Sequence, residues 1–217
     1  MKANLDELTL KIAADWLAKR DPKLAFTLEK HGYPPLWDRE PGFATLVYII
    51  LEQQVSLASA RSAFLRLKNH ITHITPSNFL KINDEQLLQI GFSRQKKAYS
   101  RGLAEAVLSG EFDFEILEQM PEHVLRPYMK RLKGIGDWTV DIYTLMSLLR
   151  PDVLPKGDIA LYESFRTLHG LETRPDHHFF EENTQHWRPW RSVGVRMLWH
   201  FYLCERDKKT NKLPQTH

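Results

Sequence analysis

Apolar residues recur at intervals of three and four along nearly the whole chain, and no stretch shows a convincing alternation with the period of two that marks a strand. LDELTLKIAADWLAKR (5–20) reads as one amphipathic helix. Asp21-Pro22 supplies the N-cap and first-turn pair of a second, which runs to about His31 before GYPPLWDREPG (32–42) breaks the pattern. From Phe43 an almost wholly apolar helix leads to a hinge near 54–56 and then to another helix. Thr75-Pro76 opens a short helix. Asn83, with Gln86 three residues later, forms a capping-box pattern for a helix that stops at Gly91, and Ser93 begins the next, ending near Gly110. FEILEQM and EHVLRPYMKRL follow as further helical segments, then WTVDIYTLMSLL, closed by Pro151. DIALYESFRTLHG, a shorter helix within LETRPDHHFFEENTQH, and RPWRSVGVRMLWHFYLCER complete the series. The expectation is an all-α protein.

Two stretches interrupt this pattern. In LKGIGDWTV (132–140), Gly134-Ile135-Gly136 lies directly against a helix start. Glycine tolerates positive φ and has no Cβ, so Gly-x-Gly permits a tight turn with bare backbone at its tip. The free N–H groups of the following helix then point outward, which is a site for a phosphate oxygen. The same pattern also serves as a plain turn between helices. In LPKGD (154–158) a lone Asp158 follows a Pro/Gly loop and precedes a helix. A carboxylate there is an ordinary N-cap, and it also stands at the mouth of a loop where it can act on a ligand.

Composition changes the picture little. The chain has 217 residues, 42% apolar and 26% charged, as one or two soluble globular domains would. No apolar run approaches the roughly 18 residues of a membrane span, and the acids in MKANLDELTLK argue against a secretory signal. A single cysteine, Cys204, excludes an intramolecular disulfide and a four-cysteine iron–sulfur site, so a reducing, cytoplasmic location is expected. The formal charge of +3 permits nucleic-acid binding without arguing for it. Basic residues cluster in SRQKKAYSR (93–101), LRPYMKRLK (125–133) and RDKKTNK (206–212). Four of six tryptophans (138, 187, 190 and 199) fall in about the last 80 residues. The ten histidines make no metal pattern, and His177-His178 receive no role.

LKGIGDWTVDIY, then LPKGD, then WRPWRSVGVRMLWHFY, preceded by LVYIILEQQVSLASA and IGFSRQKKAYSRGLA, resembles the helix-hairpin-helix Gly/Pro…Asp superfamily of DNA glycosylases. Within it the chain is most similar to the 3-methyladenine DNA glycosylase II family, over about residues 40–205. The resemblance implies two helical lobes with a cleft between them: a central domain over 43–150 containing the hairpin, and a second lobe of 1–42 plus 151–217 carrying the catalytic aspartate. It implies Asp158 in that role. It places an intercalating wedge at Gln54, where many relatives have an apolar residue. DNA contacts are implied at Gly134, Ile135, Gly136 and Thr139, at Lys133 before the turn, at Gln53 beside the wedge, and at Arg191. The family's hairpin also holds a monovalent cation, Na+ or K+, through main-chain oxygens that here belong to Lys130, Leu132 and Ile135. No further cofactor is expected.

Members that also cleave the backbone form a Schiff base from a lysine at the start of the helix after the hairpin. Trp138 stands there, and Lys130 and Lys133 lie before the turn, so the resemblance implies a monofunctional glycosylase that leaves an abasic site. Tryptophan suggests the substrate. Alkylation at a ring nitrogen makes a purine cationic, and an aromatic face attracts such a cation by about 0.5–2 kcal/mol. Trp138, Trp190 and Trp187 are the candidates for this base pocket, with core packing as the competing role for each. Asp137, beside the expected phosphate, departs from what a DNA-binding turn would prefer. The expected partner is double-stranded DNA with a damaged base, met by a monomer. The alternatives are a helix-hairpin-helix module that grips DNA without chemistry, and a glycosylase for deaminated or oxidised bases. A helical scaffold would leave the hairpin unexplained.

Overall fold

The computed structural model describes residues 4–211, with side chains through Arg206, so most of the basic cluster at 206–212 lies outside the described side chains. Among the described residues the fold is all-helical, without strands. The helices are α1 (Glu7–Ala18), α2 (Pro22–His31), α3 (Phe43–Glu52), α4 (Leu57–His70), α5 (Pro76–Leu80) and α6 (Asp84–Ile90). They continue with α7 (Arg94–Leu108), α8 (Glu122–Lys130), α9 (Asp137–Met146), α10 (Ile159–His169), α11 (His177–Asn183) and α12 (Arg191–Asn211). No described helix is long and apolar enough to cross a membrane.

The boundaries follow side-chain chemistry. Asp6 caps α1 through the Thr9 N–H, Asp21 caps α2 with Pro22 in its first turn, and Asn83 and Gln86 form a complete capping box. Gly91 closes α6 in the left-handed conformation, as expected of a C-terminal glycine. Two expectations need correction. FEILEQM holds only a 3-10 turn, Glu115–Leu117, closed by the Leu117 N–H on the Phe114 carbonyl, and Pro121 follows at once. The helix after the hairpin ends at Met146 rather than running up to Pro151, since Leu149 already adopts φ 50°.

The chain divides into two compact units: Arg39–Leu148, and the described parts of Met1–Asp38 and Leu149–His217. In the first, α3 is the hub and packs on α4, α7 and α9. Seven of its ten residues are buried, which is why its sequence is apolar nearly all round. Its one acid, Glu52, takes a two-pronged ion pair from Arg39 at 2.7 and 2.8 Å, and Lys96 Nζ donates to the last-turn carbonyl of Leu51 at 2.7 Å. Both interactions answer the polar groups that the helix end would leave unsatisfied.

In the second unit, α12 packs against α1, α2 and α10. Val193, Val195, Met197 and Leu198 are all buried. Arg196 among them is fully buried; its Nε donates to the Leu36 carbonyl at 2.7 Å, and desolvation lowers its pKa to about 10. Asp21 joins α2 to the segment before α12: its Oδ1 caps the helix, while its Oδ2 accepts from Trp187 Nε1 at 2.7 Å and lies 3.0 Å from His186 Nε2. Burial alone would raise the pKa of Asp21, but the hydrogen bonds from Trp187, Lys23, His186 and Leu24 bring it below the ordinary aspartate value.

Asp21→Ala removes the cap and leaves the buried Trp187 indole N–H without its acceptor, so a loss of roughly 2–4 kcal/mol is expected in urea unfolding at neutral pH. Because the folded-state pKa is depressed, this contribution is complete above the unfolded carboxylate value and fades as pH falls through the folded one. The gap between wild type and variant should therefore narrow in acid.

Candidate functional site

Within the Arg39–Leu148 unit, α8, the turn and α9 form a helix hairpin. Gly134 has φ +90°, and a Cβ there would overlap the ring of Tyr99. One of the two glycines is thus required from inside: an aromatic ring of α7 lies flat against the backbone. Gly136 differs. It is exposed, caps α9 without any side-chain hydrogen bond, and an added Cβ would meet nothing within 4 Å. Close approach from outside is possible at Gly136, and it is the N–H groups behind it that point there.

The turn is held by Gln53, whose Nε2 donates to the Gly134 carbonyl and to Thr139 Oγ1, both at 2.9 Å. The side chains of Gln53 and Thr139, expected as DNA contacts, are tied to one another: Thr139 is buried, and Gln53 is half-buried. Ile135 is likewise buried, which leaves only its backbone for an outside partner. Lys133 is exposed. The Leu132 carbonyl accepts from Ile135 N–H at 3.1 Å, closing the turn. Gln54, next to Gln53, is exposed and holds φ 56°, a conformation uncommon outside glycine and asparagine, at the tip between α3 and α4.

Asp137 does not stand as a bare acid at this tip. Lys130 Nζ lies 2.8 Å and Arg126 3.4 Å from its Oδ1, and the Lys130 hydrogen bond above all lowers its pKa. Arg126 is itself anchored by buried Asp141 at 2.6 Å and by Glu122 at 2.9 Å. Trp138 is half-buried in the first turn of α9.

In the other unit, Asp158 is the N-cap of α10 and 9% exposed. Its Oδ1 accepts from Leu161 N–H at 3.0 Å and from Trp199 Nε1 at 3.3 Å. The loop that delivers it is stitched to the start of α12. Ser192 Oγ donates to the Arg150 carbonyl at 2.6 Å and accepts from Val153 N–H at 2.9 Å. Arg191 donates to the Asp152 carboxylate at 2.6 Å and to its carbonyl at 3.1 Å. Arg191, expected as a DNA contact, is nearly buried here and fastens the loop, with Asp152 matching its guanidinium.

The tryptophans separate. Trp187 is corrected to a core residue: it is 1% exposed, donates to Asp21, and lies on Gly194, where a Cβ would come within 2.5 Å of its ring. Trp190 is half-buried just before α12, and its carbonyl accepts the N–H groups of Val193 and Gly194. Two residues that carry weight escaped the sequence reading. Trp199, which holds Asp158 and meets Trp37 edge-on, is 41 positions away and left no local signal. Tyr162 donates no such excuse of distance, for it sits four residues after Asp158, on the same helix face. Among the described residues no group of three or more His, Cys, Asp or Glu is placed to hold a metal ion.

The glycine turn is braced from within and bare outside, and it opens onto a helix N-terminus that no side chain caps. The sequence model described as HhH-GPD superfamily base excision DNA repair protein matches residues 47–189, and the chain belongs to that superfamily. It is similar to DNA-3-methyladenine glycosylase 1 of Schizosaccharomyces pombe, 29% identical over 74% of this chain and 72% of that one. The DNA-3-methyladenine glycosylase of Bacillus subtilis is 27% identical over 84% of this chain and 64% of its own length. Among solved structures, the Schizosaccharomyces pombe 3-methyladenine DNA glycosylase in complex with abasic DNA superposes with a TM-score of 0.81, at 26% identity, covering 94% of this chain and 98% of that one.

The two hairpin glycines should part company in unfolding experiments. Gly134→Ala meets both a positive φ and the Tyr99 ring, and a loss of more than about 2 kcal/mol is expected. Gly136→Ala should stay within about 0.5 kcal/mol of wild type. Equal effects in chemical denaturation would contradict this division of labour.

Proposed function

We infer that this chain is a monofunctional DNA glycosylase that excises alkylated, cationic purines such as 3-methyladenine or 7-methylguanine from double-stranded DNA and leaves an abasic site. The observation that carries the reading is Asp158, a nearly buried carboxylate held at a helix mouth by two N–H donors, in a chain of this superfamily. The relatives named for 3-methyladenine excision support the substrate class.

Loss of a base from deoxyribose builds positive charge on the sugar, and water must reach C1′. A carboxylate fixed beside the sugar stabilises that charge and draws a proton from the water. The base has to leave the stack first, and exposed Gln54 fills the gap it leaves. The N–H groups behind Gly136 hold a backbone phosphate, which positions the protein without reading sequence. Asp137 does not oppose this, because Lys130 and Arg126 balance its charge. Trp138 and Trp190 offer half-buried aromatic faces to a cationic base. The main-chain oxygens of Lys130, Leu132 and Ile135 are the ones that would hold a monovalent cation. An all-oxygen set suits a hard ion, and none of the steps here passes through it. One copy carries every residue invoked, so the reading needs no second chain.

Asp158→Asn should cut single-turnover base release at least a hundredfold while binding to an abasic-site analogue stays within a few-fold. Retention of a third of the wild-type rate would end the assignment. Borohydride should trap no protein–DNA adduct, and strands should break only after alkali; efficient trapping would mean a different reaction.

A pair of titrations at fixed salt separates hairpin from pocket. Gly136→Arg places a side chain where the DNA backbone must approach, and should weaken binding to damaged and undamaged duplexes by similar factors despite its added charge. Trp138→Ala should instead lose discrimination for the cationic base and keep most nonspecific affinity. A folded Gly136→Arg variant that binds undamaged DNA as wild type does would make the turn merely structural.

A further inference from the structure

The loop residue immediately before Asp158 is held by a side chain that no step above uses. Gly157 has φ +80°, and its N–H donates to Tyr162 Oη at 2.8 Å. Tyr162 Oη also lies 3.1 Å from His177 Nδ1 on α11, and His177 Nε2 lies 3.8 Å from Glu181. The Tyr162 ring meets Phe180 edge-on at 5.3 Å, so its position is set by packing as well as by its hydroxyl.

We propose that Tyr162, backed by His177, is a positioning residue that fixes the Lys156–Gly157 peptide, the one that leads into Asp158, and so aims the catalytic carboxylate. The proposal rests on the assignment of Asp158 above and adds the device that orients it. Asp158 is anchored on its helical side: its carboxylate caps Leu161, and its carbonyl accepts from Tyr162 N–H at 3.2 Å. On the loop side the preceding residue is a glycine, the least constrained of all. The hydroxyl of Tyr162 returns over one helical turn to tie down the Gly157 N–H, and with it the Lys156–Gly157 peptide from which the glycine leads into Asp158. Because Tyr162 sits four residues along α10, the tie closes a ring onto the same turn that Asp158 caps.

A hydroxyl that accepts from Gly157 has its own proton to place, and His177 Nδ1 is an acceptor within reach. With Nδ1 accepting, the ring proton sits on Nε2, facing Glu181. His177 thus orients the Tyr162 hydroxyl, and the hydroxyl holds the N–H of Gly157, the residue before Asp158. A displacement of the carboxylate by a fraction of an ångström is enough to slow a reaction that depends on charge placed beside the sugar.

The experiment compares Tyr162→Phe, His177→Ala and the double variant. Tyr162→Phe keeps the ring and its packing and removes only the hydroxyl. Its single-turnover rate should fall about five- to tenfold, with binding to an abasic-site analogue within twofold of wild type and an unchanged thermal midpoint. His177→Ala should lose less, and the double variant should be no slower than Tyr162→Phe alone, since the histidine acts through the tyrosine. Amide exchange at Gly157, read in the same proteins, should speed up in Tyr162→Phe; it reports the tie whether or not base release is detected. Unchanged Gly157 exchange, a Tyr162→Phe rate within twofold of an active wild type, or fully additive losses would each overturn the proposal. A wild type that releases no alkylated base, with Gly157 exchange still answering to Tyr162, would strike at the glycosylase reading and not at the tie.

Discussion

One oxygen of Asp158 receives both the Leu161 peptide N–H and the Trp199 indole N–H, and the surrounding segment is built to keep it there. The carboxylate is a helix cap before it is anything else. Capping fixes it to the first turn of α10, and Trp199 holds the same oxygen from α12. The loop leading in has to arrive at the matching angle, and Ser192 and Arg191 set that angle by bonding to residues 150–153. This explains the polar pair at the start of a helix whose next two turns are buried. Ser192 and Arg191 stand where a continuous apolar helix would have no means to grip a passing loop. It also explains why Arg191 is nearly buried yet charged: Asp152 supplies both a carboxylate oxygen and a carbonyl to its fork.

The hairpin obeys a different constraint, in which inner and outer surfaces of one turn are handled by different glycines. Tyr99 packs on Gly134 and Gln53 ties its carbonyl, so the turn is rigid before any ligand arrives. Rigidity matters because an anion site made of backbone N–H groups binds well only if those groups already converge. Gly136 contributes nothing to that bracing and leaves the approach open. The acid at 137 then carries little cost, since Lys130 and Arg126 balance it while it stays near the positive end of the helix dipole.

Much of this was legible from residue order. Periodicity and capping chemistry located the helices, because Asp21, Asn83, Ser93 and Gly91 act through neighbours two to four residues away. Gly-x-Gly before Asp137 and Asp158 after Gly157 likewise declare themselves locally. What the sequence did not disclose depends on distant partners. Nothing near Gln53 announces that its amide ends on residues 81 and 86 positions away. Nothing near Trp187 distinguishes a ring wedged against Gly194 and bonded to Asp21 from one lining a pocket. Residue type told that these side chains needed partners; only the fold told which partner each one has, and so which are left to face a substrate.

The cap at Asp158 bears on why that residue is an aspartate. Asparagine and serine satisfy the orphan N–H groups of a helix start about as well as aspartate does, and even glycine costs only a few tenths of a kcal/mol by comparison. The helix dipole favours a negative charge there by about 0.3–1 kcal/mol, a margin that ordinary variation would cross. Folding alone is therefore nearly indifferent to the charge, while it insists on the oxygen. A nearly buried carboxylate has to be compensated, and the Trp199 indole is placed to do so at the same atom that the cap already uses. The charge at 158 is thus something that the fold accommodates, through the cap and the indole, without requiring it.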